Sequence, residues 1–192
     1  MFRLRQDGEI HRLVTDNADI PTIYEYITAI AWYRISGCKG DVLEYMNLSL
    51  EADLLPRTHA GGGEADIVRK YGTTDHYPAH TLLIEATLSD GSGQRRMEME
   101  PVSRHLGDYR LAHGDEEAYC VFTSTNVNYN VISDFRLRRD MVYYSPDGNH
   151  KVKGLKILPL YTEQIADLLE AEVEYDQVDQ LLEQAHRAEE EP

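Results

Sequence analysis

Four side chains in the middle of the sequence are of types that do chemistry together: Asp66, Glu85, Glu98 and His105. They fall between Gly61 and His105, in GGGEADIVRKY and then TLLIEATLSDGSGQRRMEMEPVSRH. An acidic residue leading into one strand, with a second at the end of the next, is a common way to build a divalent-cation site. Two carboxylates sharing a pocket raise one another's pKa, and a divalent cation removes the conflict. With no thiolate and too little imidazole for zinc, the donor set suits Mg²⁺, with Mn²⁺ as a substitute. Such a site can activate a water, polarise a phosphoryl oxygen and stabilise a leaving oxyanion. His105 could orient the water or contact a phosphate. Taken singly, each residue also has an ordinary structural role: Asp66 capping a strand, Glu85 at a strand end, Glu98 as a helix surface charge, His105 as a satisfied polar contact.

The elements that must position these residues can be read from local pattern. The run HAGGGEA (59–65) is a flexible turn, and ADIVRKY after it reads as a short strand. TLLIEATL (81–88) is the strongest strand signal, apolar and suited to a central position. Between them YGTTDHYPAH reads as a surface loop that holds His76 and His80, with Pro78 against regular structure. Ser89 to Gly93 turns the chain, and GQRRMEMEPVSRHLG is helical in composition. Pro101 costs about 3 kcal/mol in a helix interior, so this helix starts late or is kinked there. If it is continuous, Glu98 and His105 lie seven apart on nearly the same face.

Upstream, Asp19-Ile20-Pro21-Thr22 predicts a helix start, with the helix running to a stop near Gly37. Ile23, Ile27, Ile30 and Ala31 form its apolar face. Glu25 falls off the centre of that stripe and by periodicity reads as a solvated charge. Residues 1–20 read as a polar lead-in and 38–60 as a short helix followed by loop. Downstream, EAYCVFTST (117–125) is a second buried strand, and NVNYNVISDFRLRR is a helix capped near Asn126 or Asn128. Extended segments over 141–160 are joined by a turn at Pro146-Asp147-Gly148-Asn149. Thr162 opens one long acidic, amphipathic helix carrying Ile165, Leu168, Leu169, Val173, Val178, Leu181 and Leu182, before a frayed tail. The order predicts an α/β fold: one domain over 1–192, its mixed central sheet flanked by helices.

Composition narrows the partners. Hydrophobic residues make up 42% of the chain, as in a globular protein, and no apolar run is long enough to span a bilayer. The N-terminus lacks the apolar core of a signal peptide, which points to the cytoplasm. Cys38 and Cys120 match no zinc spacing, and Cys120 in AYCVF reads as a buried thiol. A formal charge of −15 argues against bulk electrostatic attraction to nucleic acid, so DNA affinity must come from elsewhere.

The pattern ADIV…LLIEATLSDG…Q-x₃-E-x-EP-x₂-RH resembles the catalytic domain of the AlwI-like type IIS restriction endonucleases, of the PD-(D/E)XK nuclease superfamily. The resemblance extends to PTIYEYITAIAW, LPRTHAGGGEADI, AYCVFTSTNVNYNVISDFR and GLKILPL, covering about residues 20–165, and is most specific from Ile84 to His105. It implies a restriction-endonuclease-like fold with Asp66 and Glu85 as principal metal ligands, Glu25 and Glu98 as further acidic members, and His105 beside them. Thr87 fills the position of the superfamily's E-x-K lysine, which leaves the water-orienting role to Glu98 or His105. Gln94 and Arg104 also match, in structural or phosphate-positioning roles.

Family enzymes that recognise and cut DNA with one chain carry a large recognition region before the catalytic domain, whereas this sequence reaches Glu25 within its first expected long helix. The resemblance is therefore to the small, catalysis-only subunit of a heterodimeric enzyme, a Mg²⁺-dependent endonuclease that cuts one strand of double-stranded DNA when a large recognising subunit directs it. Two other readings stand beside it: a self-sufficient homodimeric nuclease of DNA repair or transposition, and a non-catalytic interaction protein on a nuclease fold.

Overall fold

The computed structural model describes residues 7–59, 61–114 and 117–188. The first six residues of the expected lead-in, Ala60 of the expected glycine-rich turn and the last four residues of the tail lie outside the described residues. The remainder of the lead-in contains a short helix, α1 (Asp7–Leu13), where none was expected. It buries none of its residues, so no apolar period announces it; Asp7 and Glu9 at its start and His11 and Arg12 at its end complement its dipole.

Helix α2 (Ile20–Ile35) begins as the sequence predicts. The Asp19 carboxylate accepts from the Thr22 N–H at 2.9 Å, and the helix ends where Gly37 takes a φ of 68°. It is buried on several sides rather than along one stripe, and Glu25 is among its buried residues. This corrects the reading of Glu25 as a solvated charge.

After a 3₁₀ turn at Val42–Glu44, the segment expected to be loop pairs as two short antiparallel strands, β1 (Ser49–Leu50) and β2 (Pro56–Thr58). Their turn holds Leu54 at a φ of 66°, without a glycine to signal it.

Strand β3 (Ile67–Tyr71) runs antiparallel to β4 (His80–Thr87), in register from Ile67 opposite Ile84 to Tyr71 opposite His80. The long loop between them therefore leaves the register intact. His80 opens β4 and is buried, which corrects its placement on a surface loop.

Helix α3 (Gly91–His113) starts within the expected turn and runs unbroken through Pro101. Val102 and Leu106 just beyond the proline are inserted in the core and hold the helix against the sheet. Strand β5 (Ala118–Ser124), buried throughout, lies parallel to β4. Helix α4 (Tyr129–Arg138) is capped by Asn128, whose side chain accepts from the Asn130 N–H at 2.9 Å.

A hairpin of β6 (Val142–Tyr144) and β7 (Lys151–Lys153) follows, and then β8 (Ile157–Tyr161), parallel to β5. The expected single C-terminal helix is two, α5 (Thr162–Glu170) and α6 (Tyr175–Ala188). They are separated where Glu172 adopts a φ of 51°.

The main sheet has the order β3-β4-β5-β8. Its two faces make two cores. On one, Leu82, Ile84, Val121 and Leu158 meet Trp32 of α2, Ile165 of α5 and Val178 of α6. On the other, Leu83, Cys120, Phe122 and Ile157 meet Val102 and Leu106 of α3 and Phe135 of α4. A parallel strand covered on both faces must be apolar throughout, which is why β4 and β5 were so legible.

Helix α6 is anchored by a buried polar cluster. The His80 Nε2 lies 2.7 Å from the Tyr175 hydroxyl, Tyr119 donates to Asp179 at 3.0 Å, and the rings of Tyr71 and Tyr175 stack 3.7 Å apart. Cys120 is buried and Cys38 exposed, both as free thiols. No helix among the described residues is long and apolar enough to cross a membrane.

Candidate active site

The β3–β4 register places Asp66, one residue before β3, beside Glu85 of β4, because the last pair is Ile67 with Ile84. Alternation along β4 directs Glu85 to the face that Leu83 shares with α3. There the His105 Nδ1 donates to Glu85 Oε1 at 2.7 Å, with both side chains about nine-tenths buried. About two turns earlier on α3, Glu98 is held by two hydroxyls, Thr87 Oγ1 at 2.8 Å and Ser89 Oγ at 2.7 Å, both donating to Oε1. The Asp66 Oδ2 accepts from the Ala86 N–H at 2.7 Å.

Each of these three carboxylates thus has one oxygen fixed by the protein. Asp66 Oδ1, Glu85 Oε2 and Glu98 Oε2 accept no hydrogen bond from the described residues.

The electrostatics are strained in one direction. Burial, and then the negative charges of Glu85, Glu25 and Glu98, push the Asp66 carboxyl well above the usual aspartate range. Burial also raises Glu85, offset by the hydrogen bond and charge of His105, while Glu98 pushes it up and Arg104 pulls it down. Glu25 therefore reaches the site through space from α2, on the opposite side of the sheet from α3. Beneath the site, burial and the charges of Glu85 and Asp66 keep the Cys120 thiol protonated, so it offers no thiolate.

The structure brings Asp66, Glu85, Glu98 and His105 to one end of the β3–β4 pair, with Glu25 within electrostatic reach. Among the described residues no group of three or more His, Cys, Asp or Glu is drawn together tightly enough to hold a metal ion. The chemistry of the donor set nevertheless fits a hard divalent cation: several mutually repelling carboxylates, each of three with an unused oxygen, and no soft ligand. The His105 Nε2 is buried without a hydrogen-bond partner.

Ser89 had not been singled out in the sequence, yet with Thr87 it sets the orientation of Glu98. The signal was present, since two hydroxyl residues, Thr87 and Ser89, follow Glu85 at i+2 and i+4. Gln94 is structural. Fully buried, it donates through Nε2 to the carbonyls of Ser89 and Asn126, each at 2.8 Å, and accepts from the Asn128 N–H at 2.8 Å. It so ties the start of α3 to the start of α4. Arg104 pairs with Glu100 at 3.1 Å and leans its charge on Glu85.

The family model described as AlwI restriction endonuclease matches residues 1–168. Among curated proteins no sequence matches significantly. Among solved structures the chain is similar to the small subunit of the heterodimeric restriction endonuclease R.BspD6I, with a TM-score of 0.64 and 22% sequence identity, over 94% of this chain and 85% of that one. At that identity the likeness concerns the fold.

Proposed function

The chain belongs to the AlwI restriction endonuclease family, a family of site-specific deoxyribonucleases, and from that premise we propose that it is the small catalytic subunit of a heterodimeric type IIS enzyme. It cuts one strand of double-stranded DNA, and a larger subunit recognises the site and brings it there. The observation that carries this reading is the set of buried, mutually repelling carboxylates around Asp66, each of three pinned at one oxygen and open at the other.

Hydrolysis joins a water oxygen to phosphorus and breaks the P–O3′ bond, leaving a 5′-phosphate and a 3′-hydroxyl. Asp66 and Glu85, with Glu25 and Glu98 completing the acidic set, would hold Mg²⁺, which would supply charge neutralisation at the phosphate. Mn²⁺ can take its place. Glu98, with Oε1 tied to Thr87 and Ser89, has Oε2 available to take the proton that the water gives up. His105 is committed through Nδ1 to Glu85, which makes it a positioning residue. Thr87, in place of a lysine, contributes by fixing Glu98.

The test is cleavage of supercoiled plasmid with Mg²⁺ by the chain alone and by the chain co-expressed with the large endonuclease chain encoded beside it. Cutting of one strand that needs both the partner and an intact Asp66 is the expected result. Cutting by the chain alone would establish a self-sufficient homodimer instead, and full activity of Asp66→Ala would sink the site.

A further inference from the structure

Charge is unevenly distributed along the chain. Between Gly91 and Lys156 lie 10 of the 19 Lys and Arg residues but only 9 of the 34 Asp and Glu, a formal charge of +1 against −16 for the rest. Part of that basic excess stands on the β6–β7 hairpin. Its register pairs Val142 with Lys153, Tyr143 with Val152 and Tyr144 with Lys151, so its two faces differ. Tyr143 and Val152 pack inward against the α3 side of the core, and the Tyr143 hydroxyl donates to Asp108 at 2.8 Å. Val142, Tyr144, Lys151 and Lys153 are exposed on the other face. Neither lysine forms an ion pair with the described residues.

The hairpin is aligned with the site. At its base the Arg110 guanidinium of α3 donates to the carbonyl of Lys153 at 3.3 Å and to that of Gly154. Further along, the Tyr143 ring lies over Gly107 and feels the charges of Arg104 and Glu100. The hairpin therefore climbs α3 from Arg110 toward the half that carries His105 and Glu98.

We propose that the outer face of this hairpin grips the phosphate backbone of the duplex being cut, an inference that rests on the nuclease reading above. Lys151 and Lys153, two residues apart on one strand, project on the same side about 7 Å apart, a spacing that lets each meet one of two neighbouring phosphates. Tyr144, opposite Lys151 on the neighbouring strand, offers a hydroxyl donor for phosphate or sugar, contacts that position a protein without reading sequence. The large subunit brings the chain to its site, and the hairpin holds the local backbone against the carboxylates.

The experiment titrates a fluorescein-labelled DNA duplex with the full chain, with K151Q/K153Q and with K151E/K153E, over a sodium chloride series. Loss of two phosphate contacts should reduce the slope of log affinity against log salt by about 2, with the charge-reversed protein weaker still. Melting temperature and circular dichroism confirm that each variant is folded. An unchanged slope overturns the proposal, as does a wild-type chain with no measurable duplex binding at the lowest salt. Two further outcomes would also overturn it. If the lysines serve only to keep the hairpin from pairing with other chains, K151Q/K153Q will oligomerise with its DNA affinity intact. If the face binds an acidic protein surface, the variants will lose the large subunit in gel filtration and keep the duplex. Plasmid cleavage by the wild-type assembly is scored separately: its absence counts against the nuclease reading, whereas cleavage with an unaltered slope in the variants counts against the hairpin alone.

Discussion

Asp66 carries a conflict that the rest of the chain must absorb. Its carboxyl is held above the usual range by burial and by the neighbouring acids, so the folded chain keeps a proton that the unfolded chain releases. Stability then falls as pH rises from the ordinary aspartate value toward the raised one. In EDTA the protein should melt lower at about pH 8 than at about pH 5. Asp66→Asn should flatten that slope and raise the melting temperature, by about 2–4 °C for each 1 kcal/mol of relieved repulsion, while abolishing cleavage. Scanning calorimetry across pH on both proteins checks this, and a steeper slope in the variant would contradict it. The Thr87 and Ser89 hydroxyls act on a different quantity. Thr87→Val with Ser89→Ala leaves Glu98 in place but unoriented, and should lower the cleavage rate about 10–100-fold with the secondary structure unchanged. A loss no greater than that of a remote surface substitution would remove Glu98 from the chemistry.

Elements were legible where one physical signal dominated. The apolar runs of β4 and β5 could only be strands covered on both faces, and Asp19 with Pro21 could hardly fail to open α2. Asp66, Glu85, Glu98 and His105 stood out because two of the acids fall at strand ends and Glu98 and His105 lie seven apart on nearly the same face of α3. What was missed lacked a local signal. By periodicity Glu25 reads as solvated, because periodicity describes one apolar stripe whereas α2 is packed on several sides; only the family resemblance put it with the site. The break between α5 and α6 falls at Glu172, with no glycine or proline to mark it, and tertiary packing imposes it. His80 seemed part of a loop until Tyr175, 95 residues later, supplied its partner. That partnership makes α6 a separately docked element. Tyr175→Phe removes the hydroxyl shared with His80 and Tyr119 and should cost about 1–3 kcal/mol, because buried polar groups are left unsatisfied. Urea denaturation monitored by circular dichroism measures it, and a neutral result would mean that stacking on Tyr71 alone holds the helix.

On the scale of the whole molecule, a formal charge of −15 on 192 residues is a standing internal repulsion. Sodium chloride screens it, since the Debye length shrinks from about 30 Å at 0.01 M to about 10 Å at 0.1 M. The cation-free chain should therefore gain thermal stability with added salt over that range; a melting temperature that falls would show that its ion pairs outweigh its repulsion. The uneven placement of that charge has another effect. Near a duplex, the potential that pushes the acidic bulk away pulls, relatively, on the stretch from α3 through the β6–β7 hairpin, and the two forces act at different points on one rigid body. The result is a torque. Such a torque depends on where the charge sits rather than on its sum, so a chain of net charge −15 can still be turned to present its least acidic stretch to a polyanion.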